Sequence, residues 1–417
     1  MSEAWIVDAC RTPRGIGKLD KGALADMHPQ HLGSVVLRAL AERNQLDTAS
    51  VDDVIWGTSS QRGEQGADLG RMAALDAGYD VRSSGVTLDR FCGSGITTVQ
   101  MAAASIMSGM EDCVIAGGTE MMSSYAKMPE NSGQAAGMPS FVDSGNTRLR
   151  ALHPQPQQGV AADAVATLEG IGRADVDALA LESQKRADAA IRNGHFDKSL
   201  VAVQRADGSL ALDKEEYPRP NTSLEALGAL KPAFAMLADV PLDNAGTTYR
   251  KMILDKYPDL EIDHVHHAGN SSGVVDGAAA LLLVSPAYAK KHGLRPRAKV
   301  VASANMGDSP TLMLNAPVPA AKKVLQRAGL ALEDIDLFEI NEAFAVVAEK
   351  FMRDLRLNRD QVNVNGGAIA LGHPIGATGA ILVGTMLDEL ERRDKKRGLV
   401  TMCAAGGMAP AIIIERI

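Results

Sequence analysis

The sequence predicts an α/β protein made of two similar doubly wound α/β halves stacked about a pseudo-two-fold axis, with an inserted lid. Three observations lead there. Apolar strand-like runs alternate with helical stretches over residues 1–121 and again over residues 295–417. Between them, from about 122 to 273, Met, Pro, Gln and Gly cluster and strand alternation stops. Residues 86–122 and 362–408 also echo each other, each reading as strand, glycine-rich turn, helix, strand and Gly pair.

Taken in order, strand-like residues 4–9 precede a helix over 31–43, strands over 53–57 and 85–88, and a helix over 96–109. The strand over 113–116 runs into Gly117-Gly118. The middle segment carries a helix over 173–193 and reads as a lid over a site. The apolar run 277–285 returns to the first sheet. This assigns 1–121 plus 274–294 to the first half, 122–273 to the lid, and 295–417 to the second half. There a strand near 362 leads into a turn bearing His373, a helix to about 390, and strands over 399–403 and 412–416.

Composition sets bounds. At 417 residues, with 46 % hydrophobic and 23 % charged residues, the chain matches a soluble globular enzyme larger than one ordinary domain. A formal net charge of −8 gives no electrostatic case for nucleic-acid binding, so an anionic ligand requires a local basic patch. The four cysteines, at 10, 92, 113 and 403, have neither metal-ligand spacing nor disulfide density, which suits a reducing cytoplasm and no metal. Cys10 and Cys113 lie in strand-like runs and are expected in the core. The N-terminus lacks a basic region before an apolar stretch, so no signal peptide is expected. No segment reaches the ~18 apolar residues of a membrane span.

Cys92 is the most informative residue. In Asp89-Arg90-Phe91-Cys92-Gly93-Ser94-Gly95 it sits on a tight turn entering a helix, where the dipole and free N–H groups favour a thiolate of lowered pKa. Taken alone, the motif equally describes a small buried Cys beside a close helix packing. His373 differs from the other eight histidines by a cradle of glycines and a proline, Asn365-Gly366-Gly367 through Gly372-His373-Pro374 to Gly379. Such backbone strain is tolerated where an imidazole must be aimed, because a neutral His accepts a thiol proton near neutral pH. Cys403 ends an apolar strand just before Gly406-Gly407, and strand C-termini of open α/β sheets are where sites form. The internal echo sets the Cys92 turn against the His373 turn. Met121, Met122, Met128 and Met138 could line an acyl channel, although packing explains them more simply.

At these residues the chain resembles the thiolase family, the acyl-CoA:acetyl-CoA C-acyltransferases. The resemblance runs from Val7-Asp8-Ala9-Cys10-Arg11-Thr12-Pro13 to the last strand. It rests on the Cys92 run, Gly117-Gly118-Thr119-Glu120-Met121-Met122-Ser123, Ala268-Gly269-Asn270-Ser271-Ser272-Gly273, Asn341-Glu342-Ala343-Phe344, Gly372-His373-Pro374, and Cys403 before glycines. It implies a thiolase-like fold and an enzyme of fatty-acid metabolism and β-oxidation that makes or thiolytically cleaves 3-ketoacyl-CoA. Acyl-CoA, acetyl-CoA and coenzyme A are then substrates, with no cofactor, nucleic-acid or membrane partner, and the chain forms a homodimer or homotetramer.

The resemblance also implies roles. Cys92 attacks the acyl thioester, His373 takes its proton, and Cys403 abstracts the α-proton of acetyl-CoA. Asn341, through a water, and His373 stabilise the enolate oxygen, while the N–H groups of Cys92 and Ala405 form a second oxyanion hole. Ser272, Gly273, Ala343, Phe344, Gln158 and Lys231 are implied in coenzyme A or acyl binding. Three departures bear on substrate identity. Ala405 stands where Gly is frequent, Gln157-Gln158 where biosynthetic relatives carry His-Met, and residues 235–267 exceed a short connection.

Two other classes are distinguishable. A ketoacyl synthase-type condensing enzyme pairs its Cys with two His, or His and Asn, and has no second catalytic thiol. A non-catalytic acyl-CoA binder has no need of Cys92, His373 and Cys403 together.

Overall fold

The computed structural model describes residues 2–127 and 142–417. Its strands, in chain order, are β1 (Trp5–Arg11), β2 (Gly15–Ile16), β3 (Asp53–Gly57), β4 (Val86–Leu88), β5 (Cys113–Met121), β6 (Val203–Gln204), β7 (Leu210–Leu212), β8 (Val275–Val284), β9 (Ala298–Gly307), β10 (Leu337–Ile340), β11 (Arg397–Thr401) and β12 (Met408–Arg416). Apart from the small β6–β7 ribbon they form one sheet in the order β10-β11-β12-β9-β1-β8-β5-β3-β4, with β2 beside β8.

That order is nearly palindromic. From β3 inward the pairings to β5, β8 and β1 are parallel, antiparallel and antiparallel. From β10 inward the pairings to β11, β12 and β9 repeat the same series. The halves join where β1 meets β9 over only two residue pairs, Trp5 with Lys299 and Ile6 with Ala298. The internal echo of the sequence is therefore a structural one.

Side-chain alternation divides the molecule into layers, because successive strand residues face opposite sides of a sheet. Cys113 and Ile115 face a core shared with the helices Pro29–Arg43 and Leu69–Asp76, whereas Val114 and Ala116 face a central layer. In the second half Leu399 and Ile413 face a core shared with the helices Pro317–Ala328 and Ala345–Leu355, and Val400 and Ile412 face the same central layer. That layer is filled by two helices, Ser94–Ser108 and Ile375–Arg392. They touch through glycines: a Cβ on Gly379 would lie 2.0 Å from the Ile96 nitrogen, and one on Gly95 2.6 Å from the Ala380 nitrogen.

The middle segment does not build a core of its own. The helices Gln158–Leu168, Arg173–Arg192 and Tyr249–Leu254 bury their apolar faces in the core of the second half, with Phe351 and Ile340. The long stretch before Ala268 is pinned by two buried carboxylates. Asp163 accepts from the Val265 and His266 nitrogens at 3.2 and 3.0 Å and pairs with His264 Nδ1 and His266 Nδ1 at 2.6 and 2.8 Å. Burial opposes its charge, but the hydrogen bonds from His264 and His266 hold the carboxyl below its ordinary value. Asp177 pairs with His267 Nε2 at 2.8 Å and accepts from Asn270 Nδ2 at 2.9 Å.

Two expectations need correction. Gly117-Gly118 do not end the strand but lie inside β5, which continues to Met121, because neighbouring groups press against them; a Cβ on Gly118 would lie 2.2 Å from the Gly376 oxygen. The strand expected near 362 is reduced to a one-residue parallel bridge of Val362 with Phe338 of β10. The counterpart of β3 is β10, and Asn363 occupies its edge with a side chain that mimics a neighbouring strand, accepting from the Ile340 nitrogen at 2.9 Å and donating to the Ile340 oxygen at 2.8 Å. Cys10 and Cys113 are buried in the outer core, as is Met121. Met122 is half-buried, and Met128 and Met138 lie outside the described residues. Among the described residues no helix is long and apolar enough to cross a membrane.

Candidate active site

Cys92 lies between β4 and the helix Ser94–Ser108, on a turn that a short network holds in shape. Phe91 adopts φ +50°, a region costing a non-glycine residue ~1–3 kcal/mol. Asp89 Oδ1 accepts from the Phe91 nitrogen at 2.6 Å, while Ser94 Oγ donates to the Phe91 oxygen at 2.7 Å and accepts from the Arg90 nitrogen at 2.8 Å. The strain aims the Cys92 side chain into the central layer, where it is 5 % exposed.

The expected lowering of the Cys92 pKa does not occur. Burial outweighs the helix terminus and pushes the thiol up to about 12, and the nearby Glu120 and Asp89 carboxylates push the same way. Its own backbone N–H and the Gln158 side chain, both hydrogen-bonded to the sulfur, act in the opposite sense. A thiol so placed is protonated at rest and needs a base beside it.

His373 supplies a neutral imidazole. Its chain enters through Gly372 at φ +95°, where a Cβ would lie 2.4 Å from Val275 Cγ1. Its own N–H donates to the Gly273 oxygen at 2.9 Å. Burial lowers the imidazole pKa to about 4. Thr378 fixes the tautomer: its hydroxyl donates to the Pro374 oxygen at 3.0 Å and sits 2.6 Å from His373 Nδ1, so Nδ1 carries the hydrogen and donates to Oγ1. Nε2 therefore bears the lone pair, and it is buried with no partner among the described residues. Thr378, five residues beyond His373 in the first turn of its helix, was not singled out by the sequence.

Cys403 is buried just beyond β11, and burial raises its pKa; the next influence on it is the charge of Cys92, which places the two thiols within electrostatic reach of each other. Ala405 lies on the turn that follows, entering Gly406 and Gly407 at φ +78° and +75°. Among the described residues neither the Cys92 N–H nor the Ala405 N–H is taken by a backbone carbonyl. Asn341 follows β10, 1 % exposed, and its Oδ1 and Nδ2 both lack partners among the described residues. Buried polar groups are normally paired, so these atoms and His373 Nε2 mark places for a bound molecule.

Of the expected binding residues, Gly273 is hydrogen-bonded to His373 and Gln158 to Cys92. The Ser272 N–H donates to the Ala343 oxygen and the Gly273 N–H to the Ala368 oxygen, at 2.9 and 3.0 Å. Phe344 meets Phe234 edge to face at 5.8 Å. Gln158 opens its helix beside Cys92, whereas Lys231 is exposed. A cavity lined by Tyr217, Arg219, Ala226, Leu227, Leu230 and Gly269 opens next to Ala268. Arg219 and Tyr217 escaped the sequence reading because they lie in an irregular stretch with no motif.

Glu120 joins the two halves of the site. It is fully buried at the end of β5, and its Oε2 accepts from the Ser59 nitrogen and from the Gly376 nitrogen, both at 2.8 Å. Burial raises this carboxyl to about 7. No group of His, Cys, Asp and Glu among the described residues is arranged to hold a metal ion.

Residues 4–246 match the thiolase N-terminal domain and residues 294–416 the thiolase C-terminal domain. The chain belongs to the thiolase family. It is an acyltransferase of that family. It is 39 % identical over its full length to a steroid 3-ketoacyl-CoA thiolase of Mycobacterium tuberculosis, covering 95 % of that protein. It is likewise 39 % identical over its full length to a beta-ketoadipyl-CoA thiolase of Acinetobacter baylyi, covering 100 % of it. The acetyl-CoA acetyltransferase structure from Bacillus anthracis superimposes with a TM-score of 0.84 at 34 % identity, over 100 % of this chain and 99 % of that one.

Proposed function

We propose that this thiolase works through a Cys92 acyl-enzyme, with His373 as the base for Cys92 and Cys403 as the second acid/base. The observation that carries the reading is His373 Nε2: buried, unpartnered, and fixed as the lone-pair nitrogen by the Nδ1–Thr378 hydrogen bond. Cys92 sulfur bonds to the acyl carbon as its proton passes to Nε2. The tetrahedral oxygen is held by the N–H groups of Cys92 and Ala405, and collapse expels coenzyme A, which takes the proton from His373. Cys403 then removes the α-proton of acetyl-CoA, and the carbanion attacks the acyl carbonyl. The released Cys92 sulfur recovers the proton held by Cys403. A water oriented by Asn341, together with His373, stabilises the enolate oxygen, and thiolysis runs the same steps backwards. With His373 and Cys92 both neutral at rest, proton transfer and attack are coupled.

Coenzyme A enters along the Tyr217–Arg219 cavity, where Arg219 offers a cation, towards Ser272, Gly273, Ala343 and Phe344, with Lys231 at the outer rim. Residues 122–273 serve as the binding lid in this reading. Gln158 puts an amide at the Cys92 sulfur where a Met is frequent, which favours an acyl range beyond acetoacetyl-CoA. A methylene or two in such a pocket is worth ~1–3 kcal/mol, so the preference is graded. Four free thiols fit a reducing cytoplasm, and a homodimer or homotetramer is expected.

Incubation with acetyl-CoA followed by peptide mass analysis tests the centre of this reading. An acetyl group on Cys92, its absence in Cys92→Ala, and retained activity in Cys10→Ala and Cys113→Ala are expected. Turnover at the normal rate by Cys92→Ala overturns it.

A further inference from the structure

One buried carboxyl beside the site has no part in these steps. Glu339 lies on β10, two residues before Asn341, and is 2 % exposed. The Asn341 nitrogen continues the ladder to the Thr401 oxygen at 3.3 Å, so the two residues occupy strand positions that share a face. Both line one enclosed cavity with Arg14, Gly372 and Thr378, the last being the residue that sets the His373 tautomer. The neighbouring residues Leu337 and Phe338 show the alternation: Leu337 faces the central layer and Phe338 the outer core, leaving Glu339 on the inner side.

The cavity is unusual for what it leaves unpaired. The Asn341 amide has no partner at either atom among the described residues. Glu339 is acted on by burial first and then by the charges of Glu342 and Glu389, opposed by Arg359 and Arg14, with no hydrogen bond among these influences. Together they hold the carboxyl well above the usual carboxylate range. A carboxyl kept neutral is a hydrogen-bond donor, and a buried neutral acid serving an oxyanion site is a known physical solution.

An amide that donates to the water at an enolate oxygen presents its NH2 and not its carbonyl, and something must decide between the two faces. We propose that Glu339 is the positioning residue for Asn341: its acid proton is directed across the shared cavity to Asn341 Oδ1, which leaves Nδ2 facing the reaction chamber. This rests on the acyl-enzyme reading above, and it assigns to Glu339 an effect on the carbon–carbon step alone, since acylation of Cys92 does not use the enolate site.

The test compares Glu339→Gln, which keeps a donor of the same length, with Glu339→Met, which does not. Cys92 acetylation is followed by mass spectrometry, and thiolysis by loss of the 3-ketoacyl-CoA enolate absorbance. In Glu339→Met the acetylation rate stays within about twofold of wild type, while kcat for thiolysis falls about tenfold or more at little changed KM, part of the ~10²–10³-fold that loss of an oxyanion donor costs. Glu339→Gln stays within about threefold in both. Glu339→Met combined with Asn341→Ala is no slower than Asn341→Ala alone, because one residue acts through the other. Equal losses of acetylation and thiolysis, equal impairment of the Gln and Met variants, or additive effects in the double variant overturn the proposal. Should Glu339→Met fail to fold, Glu339→Asp, with the acid withdrawn by one methylene, replaces it with the same split expected. Failure of wild-type Cys92 to acetylate would instead refute the acyl-enzyme reading, which separates the two outcomes.

Discussion

Gly379→Ala attacks the site without touching a reacting group. The added Cβ would lie 2.0 Å from the Ile96 nitrogen and 2.6 Å from the Gly95 carbonyl carbon, and ordinary contact begins near 3.4 Å. Backbone cannot yield as a flexible side chain can, so the helices Ser94–Ser108 and Ile375–Arg392 must separate by about 1.4 Å at that point, the difference between those two distances. Cys92 and His373, which the proposed mechanism brings together, lie just before the N-terminal ends of these helices. A displacement of about 1 Å at reacting atoms costs about 10²-fold in rate, while overpacking costs about 1–3 kcal/mol in stability. The expected variant is thus folded, with a lowered melting temperature and Cys92 acetylation slowed about a hundredfold in single-turnover mass measurements. Gly384→Ala, on the same helix, is the control, because its Cβ would meet only Ala9 Cβ, at 3.2 Å. Normal acetylation by a folded Gly379→Ala protein would refute the reasoning.

Thr378→Val removes the acceptor that fixes the His373 tautomer; Cys92 acetylation should fall by about tenfold to a hundredfold, below the ~10⁴-fold reported by a fully inverted tautomer, with KM for acetyl-CoA unchanged. Glu120 titrates near 7 because burial raises it, and its anion pushes the Cys92 thiol up. Alkylation of Cys92 by iodoacetamide should therefore show an inflection near pH 7 that disappears in Glu120→Gln. The depressed His373 pKa has a stability consequence of definite sign: the folded protein keeps this imidazole neutral down to about 4, whereas the unfolded chain takes a proton near 6.5. Its contribution should therefore weaken the fold progressively between pH 6.5 and 4, and an acid titration of His373→Gln should lose part of that slope. Gln158→Met should shift preference toward acetoacetyl-CoA, seen as a several-fold rise in its kcat/KM relative to a longer 3-ketoacyl-CoA.

Much of this was legible in the sequence, for local reasons. The helix over 96–109 and the strand over 53–57 announce themselves by periodicity, and they appear as Ser94–Ser108 and Asp53–Gly57. The glycine cradle of His373 and the strand end at Cys403 pointed to chemistry because few other demands explain such backbone. What escaped was whatever depends on long-range burial. The helix terminus at Cys92 suggests a lowered pKa, but only the folded core reveals the desolvation that reverses it. The strand expected near 362 shrinks to a single bridge because the Asn363 amide takes over the pairing with β10, and such a replacement has no signature in one dimension. Thr378 and Glu120 looked like ordinary helix and strand residues, since their partners are the Nδ1 of a residue one turn away and a nitrogen from the opposite half.

The repeated order of pairings on either side of the β1–β9 joint carries one more implication. Were the halves identical and merely associated, a two-fold axis would bring like to like at the centre, thiol against thiol or imidazole against imidazole. Covalent linkage frees each copy to differ while the frame stays the same. One turn then holds Cys92 and its counterpart holds His373, and a symmetric scaffold carries an asymmetric pair, the proposed nucleophile and its proposed base, that no true dyad could offer.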